Sequence, residues 1–391
     1  MAVKKTTLPY RRGSNDSDDD FFDIPEEPFF ALVKRHLRRS KTWAILAFIT
    51  VLIFIYRRFI KTSYVSSPIR YDLVNWSHFA YSQYATSHAY LCNAIMIFDS
   101  LQRVGSRADR ILFYPIGWGS GNMDGNGNRN DQLLVMARDK YGAALVPVDD
   151  DLISGEAGPS QSWNTSAAKL LAFGQVQYSR VIHIDSDSVI LSNLDELFFL
   201  PPAKVAMPRA YYTLPEVREL GSYLIVLEPS FKEYQSLMDA TKAAKQATAE
   251  TGEENRNEKE RGYDMDILNS RYADNALVLP HRQYGLVTGE FRSNDHRTFL
   301  GSDYEGWDPE RAIADAKLIH FADWPLPKPW VMWPQKLLAQ MQPRCKNNPG
   351  TYQESGCQDR EVWKHIYEDF RKRRRVRTYH VHFGNPVAHS H

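Results

Sequence analysis

The chain of 391 residues has little cysteine and almost no net charge, and each shortage excludes a class of protein. Three cysteines, Cys92, Cys345 and Cys357, are too few for a disulfide-stapled scaffold, and they lack the spacing of zinc ligands. A formal net charge of +1 argues against a general attraction to nucleic acid, so we expect no nucleic-acid partner. Hydrophobic residues make up 43% and aromatic residues 13%, which is enough for a sizeable core.

Long apolar runs are also scarce, and one stands out near the start of the chain. Residues 42–56 are uncharged and lie between Lys41 and Arg57-Arg58. As a helix this run rises ~22 Å, short of a ~30 Å hydrocarbon core, and a buried helix of a soluble domain is the alternative. The run has no polar face, however, and basic residues are more frequent before it than after it. This pattern predicts a transmembrane signal-anchor at residues 42–60 and a cytoplasmic N-terminus.

The domain organisation follows from that orientation. We expect a disordered cytoplasmic tail at residues 1–41, a stem at 61–78 and a lumenal domain at 79–391. The chain is then a single-pass type II protein of the Golgi membrane, with its catalytic domain in the lumen. Because the lumen is oxidising, Cys345 and Cys357 are candidates for a disulfide. Two sequons for N-glycosylation begin at Asn75 and Asn164.

Strands that alternate with helices predict an α/β domain with a largely parallel sheet. Residues 110–115 are typical of a strand, and residues 166–178 of a helix. The polar, low-complexity stretch at 242–261 is predicted to be an exposed loop. The last predicted helix, residues 361–375, ends in the basic run Arg371–Arg375, which is interpreted as a solvated face without a function.

The most informative stretch is an apolar strand that ends in Asp185-Ser186-Asp187. Side chains alternate along a strand, so the two aspartates point the same way. Two carboxylates on one face repel each other unless a cation lies between them. Mg²⁺ and Mn²⁺ prefer oxygen ligands and commonly keep positions open for phosphate oxygens, so the pattern indicates a metal site for a phosphorylated substrate. Two solvated aspartates at a strand-to-turn junction are the alternative.

The paired aspartates belong to one of four separated segments that share a pattern with a known family. Residues 84–90 form an opening strand and turn, and residues 169–198 have the form KL…QY…hhDxDxhhhxNhDELF, in which h is apolar. Residues 262–269 read GYDMDILN, and the closure segment, residues 320–330, begins with His-Phe and ends with Lys-Pro-Trp. Together, over roughly residues 79–335, they resemble glycosyltransferase family 8, the group that includes glycogenin and bacterial galactosyltransferases.

The resemblance implies a GT-A-type fold, which is a mixed, mostly parallel sheet flanked by helices. It also implies transfer of a sugar with retained configuration, from a UDP-sugar to a glycan acceptor, with Mn²⁺ or Mg²⁺ as cofactor. The metal ligands would be Asp185, Asp187 and His320, the donor-binding residues would be Thr86, Tyr90, Lys169, Ser186 and Lys328, and Asp264 would lie near the reacting carbon.

Several of these roles have a structural alternative. Lys169 contacts the nucleotide or sugar, or it is a helix-surface lysine. Tyr90 stacks on uracil, or it belongs to the core. Asp264 stabilises positive charge that develops on the sugar, or it is a surface carboxylate. Lys328 is expected to meet a phosphate as a point charge. His320 is distinguished from an ordinary structural histidine by its place before Lys-Pro-Trp.

The chain departs from the family pattern at three places. Met265 stands where the family often has glutamine, and residues 220–223 read LGSY instead of FNSG. The closure segment is two residues longer than usual and lacks its glycine, and the role of Trp330 is left open. Residues 90–96 and 367–375 resemble the fungal N-acetylglucosaminyltransferase branch of the family, which implies UDP-N-acetylglucosamine as the donor.

Two other functions compete with a transferase. A Mg²⁺-dependent phosphatase of the haloacid dehalogenase type also has Asp-x-Asp after an apolar strand, but it places the motif at its first strand. A catalytically inactive, membrane-anchored glycan-binding or scaffold protein would keep the fold without the activity. Metal-dependent hydrolysis of a nucleotide sugar would separate the enzyme from the scaffold.

Overall fold

A computed structural model describes residues 40–63, 70–119, 127–149, 168–251, 264–323, 325–347, 354–355 and 357–379. The chain divides into two compact units, Met1–Val74 and Asn75–His391. Most of the predicted cytoplasmic tail, part of the stem and the sequon at Asn164 lie outside the described residues.

The first unit contains helix α1, Ser40–Ser63, and a short 3-10 turn at Tyr71–Leu73. The predicted span at residues 42–60 lies within α1. Within the described residues, no helix is long and apolar enough to cross a membrane. The transmembrane signal-anchor at residues 42–60 stays a prediction.

In the second unit, apolar runs form the strands and amphipathic segments form the helices. The strands are β1 (Phe79–Tyr84), β2 (Asp109–Pro115), β3 (Ala143–Val148), β4 (Arg180–Ile184), β5 (Ser188–Ile190), β6 (Val205–Pro208), β7 (Leu224–Leu227), β8 (Leu277–Leu279), β9 (Leu286–Val287), β10 (Leu318–His320), β11 (Lys346–Asn347) and β12 (Glu354–Ser355). The helices are α2 (His88–Arg103), α3 (Arg129–Tyr141), α4 (Phe231–Thr251), α5 (Asp264–Tyr272), α6 (His281–Tyr284), α7 (Arg297–Leu300), α8 (Pro309–Asp315), α9 (Gln335–Met341) and α10 (Gln358–Tyr379).

The main sheet has seven strands in the described chain, in the order β3-β2-β1-β4-β7-β6-β8. Strand β7 runs antiparallel to β4 and β6, and the other pairs are parallel. The expectation of a mixed, mostly parallel sheet with helices is therefore confirmed. Beside it, β5, β10 and β9 form a three-stranded sheet in which β10 is antiparallel to β5 and parallel to β9.

Two predicted elements differ from the structure. The helix expected at residues 166–178 is a 3-10 helix, Ala168–Gly174. The prediction of a loop at residues 242–261 is wrong for residues 242–251, because α4 continues to Thr251. Alanine is the best helix former, and the first half of this stretch is rich in it, so it extends the helix despite its polar composition. Residues 252–261 lie outside the described part.

Two buried apolar clusters support these layers. One packs the main sheet against the 3-10 helix at 168–174 and against α4 and α5. The other lies under α10 and includes Phe321, Trp333, Trp363, Tyr367 and Phe370. The second cluster therefore ties the C-terminal helix to the closure segment.

The predicted disulfide is present. Cys345 and Cys357 are bonded, which joins the segment after α9 to the start of α10. Cys92 is free and buried in α2.

The Asp-Glu-Leu-Phe part of the central motif has a structural explanation. Asp195 is buried and accepts hydrogen bonds from the Tyr81 hydroxyl at 2.8 Å and the Ser106 hydroxyl at 2.7 Å. Asn193 Oδ1 accepts from the Asp195 backbone N–H at 2.6 Å. Asp195 thus fastens β1 and the loop before β2 to the segment that follows β5.

We predict that Asp195→Ala destabilises the fold. The substitution leaves the hydroxyls of Tyr81 and Ser106 without their acceptor, at about 1–3 kcal/mol for each buried group. Urea denaturation measures the loss. Asp195→Asn, which keeps one acceptor oxygen, should lose less, and Asp303→Ala, whose side chain is 73% exposed, is the control. An Asp195→Ala variant as stable as the control would contradict this role.

Candidate active site

The candidate site forms where two sheets meet. Strand β4 ends at Ile184, and Asp185 follows at the carboxyl end of a strand inside the main sheet. Strand β5 begins at Ser188 and pairs with β10, so that His320 lies opposite Ser188. Open α/β sheets bind ligands at the carboxyl ends of their strands, so this turn lies where a ligand is expected.

Asp185, Asp187 and His320 come together, as predicted. Each offers one ligand atom, and these atoms lie within 4.8 Å of one another. His320 Nδ1 is 3.5 Å from Asp187 Oδ1 and 3.3 Å from the Ser188 hydroxyl. Burial lowers the pKa of His320, which favours the neutral ring that a metal requires.

The donor set fits a hard divalent cation. Asp185 Oδ1 is buried and accepts no hydrogen bond from the described residues, although Lys169 Nζ lies 3.0 Å away outside hydrogen-bond geometry. Two carboxylates and one neutral imidazole, with an unsatisfied oxygen among them, suit Mn²⁺ or Mg²⁺. These three residues would therefore hold the cation.

Lys169 is buried, so the alternative of a helix-surface lysine is wrong. Its Nζ lies 3.0 Å from Asp185 Oδ1 and 2.7 Å from Asp264 Oδ2, and 3.3 Å from the Ser222 carbonyl. Burial alone would lower the pKa of Lys169, but the two carboxylates outweigh it and raise that pKa above its ordinary value. The lysine is therefore charged and joins two acidic residues from different segments.

The contact with Lys169 also affects the pKa of Asp185. Burial alone would raise the pKa of Asp185, but Lys169 and then His183 outweigh it and hold the pKa well below its usual range. Asp264 begins α5 and is 9% exposed, so it is not a surface carboxylate. Gly262 and Tyr263 of the same motif lie outside the described residues.

The closure segment reaches the paired aspartates through Lys328. Its Nζ lies 2.6 Å from Asp187 Oδ2 and donates to the Phe321 carbonyl at 2.9 Å. The Lys328 side chain is 40% exposed, which leaves its ammonium accessible to a ligand.

At the position where the resembled pattern has glycine, the closure segment carries a buried carboxylate, Asp323. It accepts hydrogen bonds from Arg292 Nη1 at 3.3 Å and Trp363 Nε1 at 3.2 Å, and from the hydroxyls of Thr288 and Tyr367. The longer closure is thus anchored from several sides.

The predicted donor-binding residues lie around the same turn. Thr86 is half-buried after β1, and Tyr90 is half-buried in the first turn of α2. The Tyr90 ring stacks near Tyr84 at 6.3 Å and meets Trp330 edge-on at 5.5 Å, which gives Trp330 a packing contact. Ser186 Oγ is buried and has no hydrogen-bond partner among the described residues, which is uncommon for a buried hydroxyl.

Sequence reasoning missed two residues at the site. His183 is buried, with Nε2 3.6 Å from Asp185 Oδ1 and Nδ1 3.0 Å from the Ser82 hydroxyl. Burial lowers its pKa, so the ring is neutral. Strand alternation places His183 on the face of Asp185 and was the available signal. Tyr223 stacks on the His320 ring at 4.9 Å and its carbonyl accepts from the Asp185 N–H at 2.9 Å.

Comparison with known proteins gives the following matches. No model of a known protein family matches the chain. Glucose N-acetyltransferase 1 of Aspergillus fumigatus is 57% identical, over 97% of this chain and 99% of that protein. Glucose N-acetyltransferase 1 of Gibberella zeae is 43% identical, over 76% of this chain and 62% of that protein. Among solved structures, the glycosyltransferase GlyE of Streptococcus pneumoniae has a TM-score of 0.43 at 16% identity, and the match covers 80% of this chain and 66% of that one.

We predict that Lys169→Met destabilises the fold by about 3–5 kcal/mol at neutral pH, because two buried carboxylates lose their shared cation. The depressed pKa of Asp185 means that its stabilising contribution is present above the ordinary pKa, near 4, and is lost as the pH falls. The difference between the wild type and the variant should therefore shrink below about pH 4. Urea denaturation across pH measures it, with the exposed Lys336→Met as control. A difference that stays constant with pH would contradict the ion pairs.

Proposed function

The chain belongs to the glucose N-acetyltransferase 1 family and is a glycosyltransferase, and from this we propose that it transfers N-acetylglucosamine from UDP-N-acetylglucosamine to a glycan acceptor. The relatives' name joins glucose with an N-acetyl group, which supports this sugar. We further propose that the enzyme is metal-dependent and retaining, and that it has the GT-A-type fold of glycosyltransferase family 8. The observation that carries the proposal is the group formed by Asp185, Asp187 and His320 at the end of β4.

The donor's diphosphate would bind at the turn between β4 and β5. Asp185, Asp187 and His320 would hold Mn²⁺ or Mg²⁺, and the cation, when bound, offsets the negative charge of the departing UDP. Lys328 lies beside Asp187 and is exposed enough to supply a further positive charge to a phosphate oxygen. Thr86 and Tyr90 would receive the nucleoside, and the unsatisfied Ser186 hydroxyl would bond to it.

Asp264 is proposed to act on the sugar itself. Its contact with Lys169 holds the carboxylate at a fixed distance from Asp185 and therefore from the site of the leaving group. A carboxylate so placed stabilises positive charge that develops on the anomeric carbon as the bond to UDP breaks.

The two competing functions receive less support. The Asp-x-Asp turn follows β4, after three earlier strands, whereas phosphatases of the haloacid dehalogenase type place it after the first. An inactive scaffold would have no use for clustered buried charges, whose desolvation is costly.

We also propose that the catalytic unit works in the Golgi lumen. The support is the disulfide between Cys345 and Cys357, since disulfides persist in oxidising compartments and are rare in the cytosol. Localisation of the tagged chain in cells, with thiol labelling in the presence and absence of reductant, tests this. A cytosolic chain with both thiols labelled without reductant would contradict it.

We predict that Mn²⁺ raises the affinity for UDP and that Asp187→Asn removes this response. Metal and diphosphate neutralise each other, and coupling free energies of this kind correspond to roughly 5- to 150-fold in affinity. Calorimetric titration of UDP with Mn²⁺ or with EDTA measures the effect, and release of UDP from a panel of UDP-sugars identifies the donor. Asp139→Asn, whose side chain is 56% exposed, is the matched control and should respond like the wild type.

Equal UDP affinity with Mn²⁺ and with EDTA in the wild type would show that the paired aspartates are structural. Lys328→Ala distinguishes the two roles, because it should weaken binding while leaving part of the metal response. UDP release from a different UDP-sugar alone would correct the donor without affecting the metal site.

A further inference from the structure

The basic run at the end of α10 is not the solvated face that its composition predicts. Lys372 and Arg375 are exposed, but Arg371, Arg373 and Arg374 are half-buried. Arg371 and Arg374 are three residues apart, so they share one face of the helix. That face points toward the candidate site.

Arg371 holds the closure segment. Its Nε donates a hydrogen bond of 2.8 Å to the carbonyl of Pro329, the residue after Lys328. Its guanidinium also lies 4.4 Å above the ring of Trp333, a distance at which a cation attracts an aromatic face. Arg371 therefore fixes the backbone next to the lysine expected to meet phosphate.

Arg374 holds the opposite side of the site. Its Nε donates to Asn93 Oδ1 at 3.0 Å, and its Nη2 donates to the Ala89 carbonyl at 3.4 Å. Ala89 directly precedes Tyr90 in the first turn of α2. One arginine thus contacts the turn that carries the residue expected to receive the nucleoside.

The two anchored segments meet each other next to α10. Trp330, which follows Pro329, contacts the Tyr90 ring at 5.5 Å. Phe370 of α10 lies 6.4 Å from Trp330 and 4.9 Å from Phe321. The helix therefore contacts the nucleoside side and the phosphate side of the site with one face.

We infer that Arg371 and Arg374 are positioning residues for the donor nucleotide, and that α10 sets the distance between the first turn of α2 and the closure segment. This inference rests on the proposed function. It assigns a role to residues that bear no motif of their own, and it identifies uridine diphosphate as the ligand whose binding depends on them. A small displacement of either segment separates the groups that must reach the nucleoside and the diphosphate together.

A purely structural role makes a different prediction. If α10 only completes the core through Trp363, Tyr367 and Phe370, loss of either arginine lowers thermal stability without a selective effect on the nucleotide. A positioning role raises the KM for the donor more than it lowers kcat, because binding contacts are misaligned.

The test uses the full chain with Arg371→Gln and Arg374→Gln, and with Lys372→Gln and Arg375→Gln as controls on the exposed face of the same helix. Calorimetry with UDP and Mn²⁺ gives Kd, UDP release gives KM and kcat, and thermal unfolding gives Tm. We expect each arginine variant to raise Kd and KM on the order of tenfold, with a smaller change in kcat, and the controls to match the wild type. Arg374→Lys should recover part of the affinity, because an ammonium can still donate to one of the two acceptors.

The outcomes are separable. If the wild type binds UDP and both arginine variants bind it with the same Kd, the inference is overturned and the proposed function stands. A wild type that does not bind UDP with Mn²⁺ would overturn the proposed function and the inference with it. If a glutamine variant does not fold, Arg371→Met and Arg374→Met, which keep an apolar stem and remove the guanidinium, take its place, and wild-type Kd and KM in both would again overturn the inference.

Discussion

Two carboxylates at the end of one strand are the constraint on which the rest of the site depends. Asp185 and Asp187 lie in the turn that follows β4, and each contacts a different lysine. Lys169 pairs with Asp185, and Lys328 pairs with Asp187. Because partly buried negative charges are costly unless they are paired, the chain must bring positive charge to this turn from both sides of the motif. The sheet arrangement serves that need. Strand β10 pairs antiparallel with β5, which places His320 and the closure segment next to the turn after β4.

The two lysines of the site differ in burial, and this difference indicates different roles for them. Lys169 is enclosed between Asp185 and Asp264 and is 3% exposed, so it maintains the geometry of the acidic residues. Lys328 is 40% exposed on the other side of the pair. Two lysines that would look alike in a sequence therefore have different physical functions. One compensates charge within the protein, and the other is available to a ligand.

The sequence predicted the parts that depend on local pattern. The Asp-x-Asp pattern predicted that Asp185 and Asp187 come together, which they do in the turn after β4, and the spacing of apolar runs located the parallel strands. It could not predict that Lys169 is buried, because its partner Asp264 is distant in the chain and depends on tertiary packing. Tyr223, which stacks on His320, stands in the segment that departs from the family pattern, so resemblance offered no signal for it. The membrane span at residues 42–60 stays a prediction.

The closure segment and the C-terminal helix α10 depend on each other through the buried Asp323. Where the pattern of glycosyltransferase family 8 has glycine, this chain has Asp323, whose side chain is 1% exposed and needs donors on several sides. Two of them, Trp363 and Tyr367, belong to α10, and Arg292 and Thr288 supply the others. Such a carboxylate is tolerated only when all its partners are in place, because a buried acceptor without donors costs more than the bond contributes. The longer closure therefore requires α10 to be docked. Arg371 and Arg374 of that helix contribute to the docking, because they donate to the carbonyls of Pro329 and Ala89 on either side of the site.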